Sequence, residues 1–283
     1  MLSYQHGFHA GNYADVLKHL VLVNILDYMT QKDKPLLYVD THAGAGGYAL
    51  ASAQAQKTAE YRQGIGRIWQ CDEAPQGLAS YLAVVEAFNQ SAGSAADLGF
   101  YPGSPWIAQH LLRPSDRLQL FELHPKEYAL LAQAIEKRRG VQLLHQDGFQ
   151  GLLAALPPKE RRGLVLMDPP YEIKTDYAQV VSALCQAYKR FATGTYAIWY
   201  PVVERARINQ LEKALKNSGI RAIDLYELAI APDTSARGMT ASGMIVINPP
   251  WVLKNQMNTL LPWLCQRLAE GQGFYRIETL VEE

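Results

Sequence analysis

Short apolar runs alternate along this chain with longer stretches in which apolar residues recur every three or four positions. The short runs predict buried strands at residues 36–40, 118–122, 141–145, 164–167 and 195–200. The longer stretches predict helices at residues 104–112, 125–138, 149–156, 177–191 and 204–218. Because strands that alternate with helices form right-handed parallel connections, this order predicts an α/β fold with a largely parallel sheet.

The two ends of the chain depart from this alternation. Residues 14–29 predict an amphipathic helix before the first strand, with Asn12 or Asp15 as its cap. Residues 222–231 and 244–248 predict two strands without a helix between them, which is typical of a hairpin. We therefore expect the sheet to be parallel with an antiparallel C-terminal hairpin strand.

A helix-rich stretch interrupts the alternation at residues 50–97 and ends in a segment rich in serine, alanine and glycine. We interpret it as a small inserted helical subdomain, although it could also be part of the main fold. Residues 1–49 and 98–283 then form the main domain, in which residues 1–30 are an N-terminal arm and helix. After the insertion, Ser104 as cap and Pro105 at the first position predict a helix start.

The amino-acid composition limits how this chain could bind a nucleic acid and in which compartment it is expected to act. The 283 residues carry 27 Lys plus Arg against 27 Asp plus Glu, so a nucleic acid would have to be held by local basic patches. Some basic residues are expected to line a groove together with Lys18, Lys174 and Arg237. The three cysteines lack metal-ligand spacing and suit a reducing compartment. With no signal peptide and no apolar run of membrane-spanning length, we expect a cytoplasmic protein.

Candidate ligand-binding groups follow four of the predicted parallel strands. They are a glycine-rich turn at residues 41–47, then Glu122, then Asp147 with Gly148, and finally the sequence Asp-Pro-Pro-Tyr at residues 168–171. Because the carboxyl ends of parallel strands share one edge, these groups are expected to meet in one crevice. Glu122 is placed to accept hydrogen bonds from a ribose diol and Asp147 from an exocyclic amine, although each acid alone could simply cap a helix.

The Asp-Pro-Pro-Tyr sequence suits an amino group on a flat ring. Its prolines stop the strand, and the segment then offers the Asp168 carboxylate, backbone carbonyls and the Tyr171 ring. A similar sequence, Asn-Pro-Pro-Trp at residues 248–251, follows the last strand of the predicted hairpin. Because that strand should run antiparallel to the others, we expect this second sequence to lie away from the crevice and to be structural.

The order of these motifs resembles the S-adenosylmethionine-dependent amino methyltransferases. More narrowly, the chain resembles the RlmJ family of bacterial 23S ribosomal RNA adenine-N6 methyltransferases over essentially its whole length. The matching segments are residues 1–6 (MLSYQH), 9–12 (HAGN), 15–19 (DVLKH), 40–46 (DTHAGAG) and 238–244 (GMTASGM). The resemblance implies a Rossmann-like class I methyltransferase sheet.

The resemblance also implies roles for individual residues. S-adenosylmethionine would be bound by His19, His42, Ser104, Glu122, Asp147, Gly148 and Asp168. Tyr4 would contact the RNA, with His6 and Lys18 close by, as the RNA-binding group. Asp168, Pro169 and Tyr171 would be catalytic, and no metal would be needed.

In the mechanism that these residues support, the adenine N6 attacks the sulfonium methyl directly, and S-adenosylhomocysteine is the product. Asp168 and the Pro169 carbonyl accept hydrogen bonds from the N6 amino group. Tyr171 would stack on the base after its extrusion. The expected substrate is 23S RNA, free of protein or in an early assembly intermediate, and the enzyme is expected to be a monomer. The alternatives are an adenine in DNA, a glutamine amide in a protein, or a non-catalytic RNA-binding module.

Overall fold

The structure is a computed structural model that describes residues 5–71, 73–94, 97–173, 175–233, 238–269 and 271–283. Three residues of the predicted RNA-binding groups, Tyr4, Lys174 and Arg237, lie outside these ranges. Within them the chain folds into a sheet of eight strands covered by helices, with a separate pair of short strands beside it. None of the described helices combines the length and the apolar character needed to cross a bilayer.

The strands and helices begin and end as follows. The strands are β1 (Leu37–Asp40), β2 (Gly47–Ala49), β3 (Phe100–Pro102), β4 (Arg117–Phe121), β5 (Val141–Leu144), β6 (Gly163–Met167), β7 (Thr195–Val202), β8 (Ile223–Ala229), β9 (Ala241–Ile247) and β10 (Phe274–Val281). The helices are α1 (Tyr13–Thr30), α2 (Ala53–Thr58), α3 (Gln76–Ser91), α4 (Ser104–Leu111), α5 (Pro125–Ala134), α6 (Gly148–Ala155), α7 (Asp176–Arg190), α8 (Arg205–Lys216) and α9 (Leu253–Leu268).

The large sheet has the strand order β10-β8-β9-β7-β6-β1-β4-β5. Five neighbouring strands of the sheet are mutually parallel, namely β7, β6, β1, β4 and β5. Strand β9 pairs antiparallel with both β7 and β8. The predicted α/β fold and its C-terminal hairpin are therefore confirmed. Asp40, the last residue of β1, is level with Leu120 in β4 and Leu166 in β6, so the groups that follow these three strands meet at one edge.

Helix α1 is buried on all sides, and the prediction that it is amphipathic is wrong. Fifteen of its eighteen residues are buried, because it packs against β7 and β9 of the sheet as well as against α3, α4 and α9. Its start is capped as predicted, since the Asn12 side chain accepts hydrogen bonds from the backbone N–H groups of Ala14 and Asp15. Polar residues of α1 are thereby carried into the interior.

The fold departs from the predicted elements in three places. Ser104 is the first residue of α4 and Gly103 occupies the cap position, because the Ser104 hydroxyl donates to Asp40 instead of accepting from the helix. Helix α5 ends at Ala134, four residues earlier than predicted. Finally, β2, β3, α9 and the edge strand β10 had no sequence assignment, and β10 extends the sheet beyond β8.

The stretch at residues 50–97 contains α2, two turns of 3-10 helix at residues 60–62 and 65–67, and α3. Strands β2 and β3 pair antiparallel at its two ends and bring these ends together. Its description as an inserted subdomain stays a prediction.

Arg113 joins the end of α1 to the start of β1. Its guanidinium donates hydrogen bonds to the carbonyls of Thr30, Lys32 and Lys34 and forms an ion pair with Asp116 at 2.9 Å. Asp116 is buried and also accepts from the backbone N–H of Leu36, directly before β1.

We expect Arg113→Ala to lower the free energy of unfolding by about 3 kcal/mol, because it leaves a buried carboxylate without its cation. Urea unfolding followed by circular dichroism measures this change. The control Arg139→Ala removes an exposed arginine and should stay within about 0.5 kcal/mol of the parent chain. Equal stabilities for the two variants would contradict the assignment.

Candidate active site

Two adjoining cavities lie at the carboxyl edge of the parallel strands. The first, here called the glycine-turn cavity, is lined by the turn after β1 together with residues that follow β4, β5 and β6. The second, here called the arm cavity, is lined by the segment before α1 and by residues that follow β6 and β7. Their shared wall consists of His6, Lys18, Asp168, Pro170 and Trp199.

Glu122 is fixed in the glycine-turn cavity by two backbone groups. Its Oε2 accepts from the N–H of Gly44 at 2.7 Å and its Oε1 accepts from the N–H of His124 at 2.6 Å. Gly44 has a φ of +62°, a conformation that favours glycine and that turns its N–H toward the acid. The carboxylate is therefore held in one orientation while each oxygen keeps a further lone pair for a ligand.

Asp147 and Gly148 form the next part of the same cavity. Asp147 caps α6 by accepting from the Gln150 N–H at 2.9 Å, so it is both a helix cap and a lining residue. A Cβ atom at Gly148 would lie 1.9 Å from the Thr41 carbonyl oxygen. Glycine is thus required where the start of α6 packs against the turn after β1.

Two histidines of this cavity are uncharged at neutral pH. Burial lowers the pKa of His42 to about 4 and holds the pKa of His19 well below its ordinary value. His42 Nδ1 lies 2.8 Å from Thr41 Oγ1, and His19 Nδ1 lies 2.9 Å from the Tyr101 hydroxyl. Both rings therefore act as neutral hydrogen-bonding groups.

Acidic groups outnumber basic ones around the glycine-turn cavity. Its lining includes the carboxyl groups of Glu122, Glu127, Asp147, Asp168 and Asp176, with Lys18 as the lysine among them. Glu127 Oε2 is buried without a hydrogen-bond partner among the described residues, and burial raises the pKa of this carboxyl. A polar ligand of positive charge fits such a lining.

Lys18 lies in the wall between the cavities. Its Nζ donates to Asp168 Oδ2 at 2.6 Å and lies 2.9 Å from Asp15 Oδ1, and the side chain is only 4% exposed. Burial opposes the charge, but the two carboxylates outweigh it and raise the pKa of Lys18. Lys18 is thus a buried ion-paired cation, and an RNA group could reach it only from inside a cavity.

Asp15 extends this ion pair to the N-terminal segment. Its Oδ2 lies 2.8 Å from His6 Nε2 and accepts from the Gly11 N–H at 2.9 Å. The result is a series of polar contacts from His6 through Asp15 and Lys18 to Asp168, which is buried at Asp15 and Lys18 and partly exposed at its two ends. Sequence reasoning missed the role of Asp15, although its spacing of three residues from Lys18 on one helix was available.

Aromatic rings form the other side of the arm cavity. The Tyr171 hydroxyl donates to the Trp199 carbonyl at 2.7 Å, and the Tyr171 ring packs 4.5 Å from the Tyr177 ring. Trp199 is held in turn by its Nε1, which donates to Ser242 Oγ at 2.8 Å. Sequence reasoning missed Tyr177 and Trp199, because nothing in a single strand or helix pattern marks an aromatic residue as facing a cavity.

Asp40 is a further functional candidate that sequence reasoning did not single out. This fully buried carboxylate accepts from the Ser104 hydroxyl at 2.7 Å, the Tyr38 hydroxyl at 3.0 Å and the His42 N–H at 3.2 Å. Burial raises the pKa of Asp40 to about 6, although these donors oppose the shift. Asp40 thereby orients two residues that line the cavity, Ser104 and His42.

The predicted site residues within the described ranges all line one or both cavities. They are His6, Lys18, His19, His42, Ser104, Glu122, Asp147, Gly148, Asp168, Pro169 and Tyr171. Their individual roles stay predictions. The Asn-Pro-Pro-Trp sequence follows the antiparallel strand β9, and its Trp251 is 75% exposed. Among the described residues, no group of three or more His, Cys, Asp or Glu side chains is arranged so that it could hold a metal ion.

Comparisons with known proteins give consistent similarities. The family model described as "Ribosomal RNA large subunit methyltransferase D, RlmJ" matches residues 33–281. Two proteins named "Ribosomal RNA large subunit methyltransferase J", from Escherichia coli and Haemophilus influenzae, are 55% and 51% identical over all of both chains. A crystal structure of a Legionella pneumophila protein has a TM-score of 0.89 at 38% identity and covers 96% of this chain and 98% of its own.

The opposite pKa shifts of two histidines are directly measurable. We expect the His42 imidazole to titrate near pH 4, because burial disfavours its charge, and His9 to titrate above 6.5, because its hydrogen bond to Glu60 favours the charge. NMR titration of the ring C–H signals, assigned with His42→Gln and His9→Gln, measures both midpoints. A His42 midpoint near 6.5 would show that its ring is solvated.

Proposed function

The chain belongs to the family of ribosomal RNA large subunit methyltransferases described as RlmJ, and on this premise we propose that it methylates N6 of an adenine in 23S ribosomal RNA with S-adenosylmethionine as donor. The position of Asp168 in the wall shared by the two cavities carries the proposal. The glycine-turn cavity would hold the donor and the arm cavity the target base, so that both molecules would meet at this carboxylate.

The residues of the glycine-turn cavity fit the donor. S-adenosylmethionine would supply an electrophilic methyl group on a positively charged sulfur, and the predominantly acidic lining supports a cation there. The doubly anchored Glu122 can accept hydrogen bonds from a ribose diol, and Asp147 can accept from an adenine amine. The unpaired Glu127 Oε2 offers one more acceptor. His19, His42, Ser104 and Gly148 would complete this site.

Asp168 and Pro169 would bind the amino group that is to be methylated. Lys18 donates a hydrogen bond to Asp168 Oδ2. The other oxygen, Oδ1, has no hydrogen-bond partner among the described residues, so it can accept a hydrogen bond from N6. The Pro169 carbonyl can accept a second one. The adenine N6 is a poor nucleophile because its lone pair is delocalised into the ring. Acceptors that favour tetrahedral geometry at nitrogen restore that lone pair, and their fixed positions contribute electrostatic stabilisation. As the N–C bond forms, the methyl–sulfur bond would break with its electron pair on sulfur, S-adenosylhomocysteine would leave, and N6 would lose one proton by way of Asp168 to solvent.

The arm cavity fits a base that has left its stack. An adenine within a helix cannot bring N6 to the donor, so it must be extruded and held by new stacking contacts. Tyr171 would provide this contact, and its hydrogen bond to the Trp199 carbonyl fixes the ring before the base arrives. The Tyr177 and Trp199 rings add apolar surface to the same cavity.

The proposal extends to the RNA and to the form of the enzyme. Tyr4, His6 and Lys18 are proposed as the RNA-binding group, which is supported for His6 and Lys18 by their place in the wall of both cavities. We further propose that the substrate is protein-free 23S RNA or an early assembly intermediate, and that the enzyme acts as a monomer in the cytoplasm without a metal.

Methyl transfer from tritiated S-adenosylmethionine to three acceptors tests the substrate class. We expect incorporation into protein-free 23S RNA, with N6-methyladenosine in its nuclease digest by mass spectrometry, and none into duplex DNA or a release-factor protein. The catalytic efficiency of RNA methylation should fall steeply as the salt concentration rises. Contacts between the enzyme and RNA phosphates release counterions, so added salt weakens binding. Preferential labelling of DNA or of a glutamine side chain would replace the proposed substrate.

We expect Asp168→Asn to lower kcat by about a thousandfold, because the neutral amide oxygen is a weaker acceptor for the N6 hydrogens than the carboxylate and carries no charge to stabilise the reacting nitrogen. The affinities for RNA and donor should stay close to those of the parent enzyme, because Asp15 still pairs with Lys18 and the amide keeps the shape of the shared wall. Single-turnover methylation and binding assays measure these quantities. Trp251→Ala, in the second proline-containing motif, is the control and should retain full activity. More than a tenth of parental kcat in Asp168→Asn would rule out this role.

A further inference from the structure

The segment before α1 forms one wall of the arm cavity but has little structure of its own. This segment, residues 5–12, is called the arm below, and it contains a single 3-10 turn at His6–Phe8. His6, His9 and Asn12 of the arm line the cavity. A chain segment with so little regular structure needs support from elsewhere to hold these side chains in place.

Glu60 gives this support from the 3-10 turn that follows α2. Its two carboxylate oxygens each lie 3.0 Å from His9 Nδ1, and Oε2 also accepts from the Asn12 side-chain amide at 2.9 Å. The hydrogen bond to Glu60 is the main influence on His9 and raises the pKa of its ring. Two residues of the cavity wall are thus held by one acid that does not itself line the cavity.

The backbones of the two segments are also in direct contact. The N–H of Ile65 donates to the Gly11 carbonyl at 2.9 Å. A Cβ atom at Gly64 would lie 2.1 Å from the same Gly11 oxygen, so the closeness of the two chains depends on glycine. The Thr58 hydroxyl also donates to the Phe8 carbonyl. Residues 53–67 therefore form a support, called the cradle below, along the arm.

We propose that Glu60 is a positioning residue for the target adenine, because it holds the arm in the conformation that closes the arm cavity. The inference rests on the proposed function, since the adenine is assigned to this cavity by that proposal. The proposal gives the cradle, which is the first part of the helix-rich stretch, a role in binding the RNA substrate. The glycine-turn cavity is built mainly from residues that follow β1, β4, β5 and β6, so donor binding does not depend on Glu60.

A conformational equilibrium determines which kinetic constant changes. Without Glu60, only a fraction of molecules has the arm in place, and the apparent affinity for RNA is the parental affinity multiplied by that fraction. A saturating concentration of RNA shifts the population back to molecules with the arm in place, because RNA binds that conformation better. We therefore expect the KM for RNA to rise about tenfold in Glu60→Ala, with kcat within threefold and the Kd for S-adenosylmethionine within twofold of the parent values.

Hydrogen exchange, donor calorimetry and steady-state methylation of protein-free 23S RNA test the proposal together. In Glu60→Ala, amides of the arm should exchange faster while those of the parallel strands are unchanged. Glu60→Gln keeps a carbonyl acceptor and should recover part of the KM. The matched control Glu86→Ala removes an exposed acid of α3 and should behave as the parent. A parental KM for RNA in Glu60→Ala would overturn the proposal, whereas no methylation of RNA by the parent would overturn the proposed function instead.

A second pair of variants reaches the arm without changing Glu60. Gly64→Ala should displace the arm through the close contact with Gly11 and should raise the RNA KM in the same way. Gly66→Ala is its control, because a Cβ atom there meets nothing closer than the Tyr61 carbonyl oxygen at 3.1 Å. If Gly64→Ala speeds exchange in the arm but leaves the RNA KM unchanged, the arm does not position the base and the proposal fails.

Discussion

The buried ion pair between Lys18 and Asp168 is the contact on which the two-cavity arrangement depends. It joins α1 to the end of β6 with a 2.6 Å hydrogen bond, and Asp15 supplies the second carboxylate that a buried ammonium needs. Loss of one partner from such a group leaves an uncompensated buried charge, which typically costs about 3–5 kcal/mol. The same contact fixes Asp168 Oδ2, so the orientation of the proposed catalytic carboxylate follows from the packing of α1.

The burial of α1 makes this contact possible. A helix with one solvent-exposed face could leave Lys18 and His19 in contact with water. In this fold the sheet covers one side of α1, and α3 and α4 cover another. The apolar residues of α1 supply the free energy for burying its few polar groups. The buried polar side chains of α1 have partners inside the protein: Asp15 and Lys18 pair with each other, His19 contacts Tyr101, and Asn24 donates to two backbone carbonyls.

The sequence was sufficient for features that depend on neighbouring residues. Apolar runs located the parallel strands, and the rule that their carboxyl ends share an edge brought Glu122, Asp147 and Asp168 together correctly. Features that depend on distant residues were not accessible. The amphipathic prediction for α1 failed because the second covering layer lies elsewhere in the chain, and Ser104 was expected to cap its helix because nothing local reveals the buried acceptor Asp40.

The two cavities are held in place by different parts of the fold, so the residues proposed for methyl transfer and those proposed for binding the target base depend on different contacts. The glycine-turn cavity and Asp168 lie at the ends of parallel strands, which are fixed by the hydrogen bonds of the sheet and vary little in position. The arm cavity depends on a short N-terminal segment held by side-chain contacts from the cradle. Changes in the cradle, or at His9 and Asn12 of the arm, can therefore alter which base is admitted without disturbing the donor site, whereas changes at the strand ends affect the reaction itself.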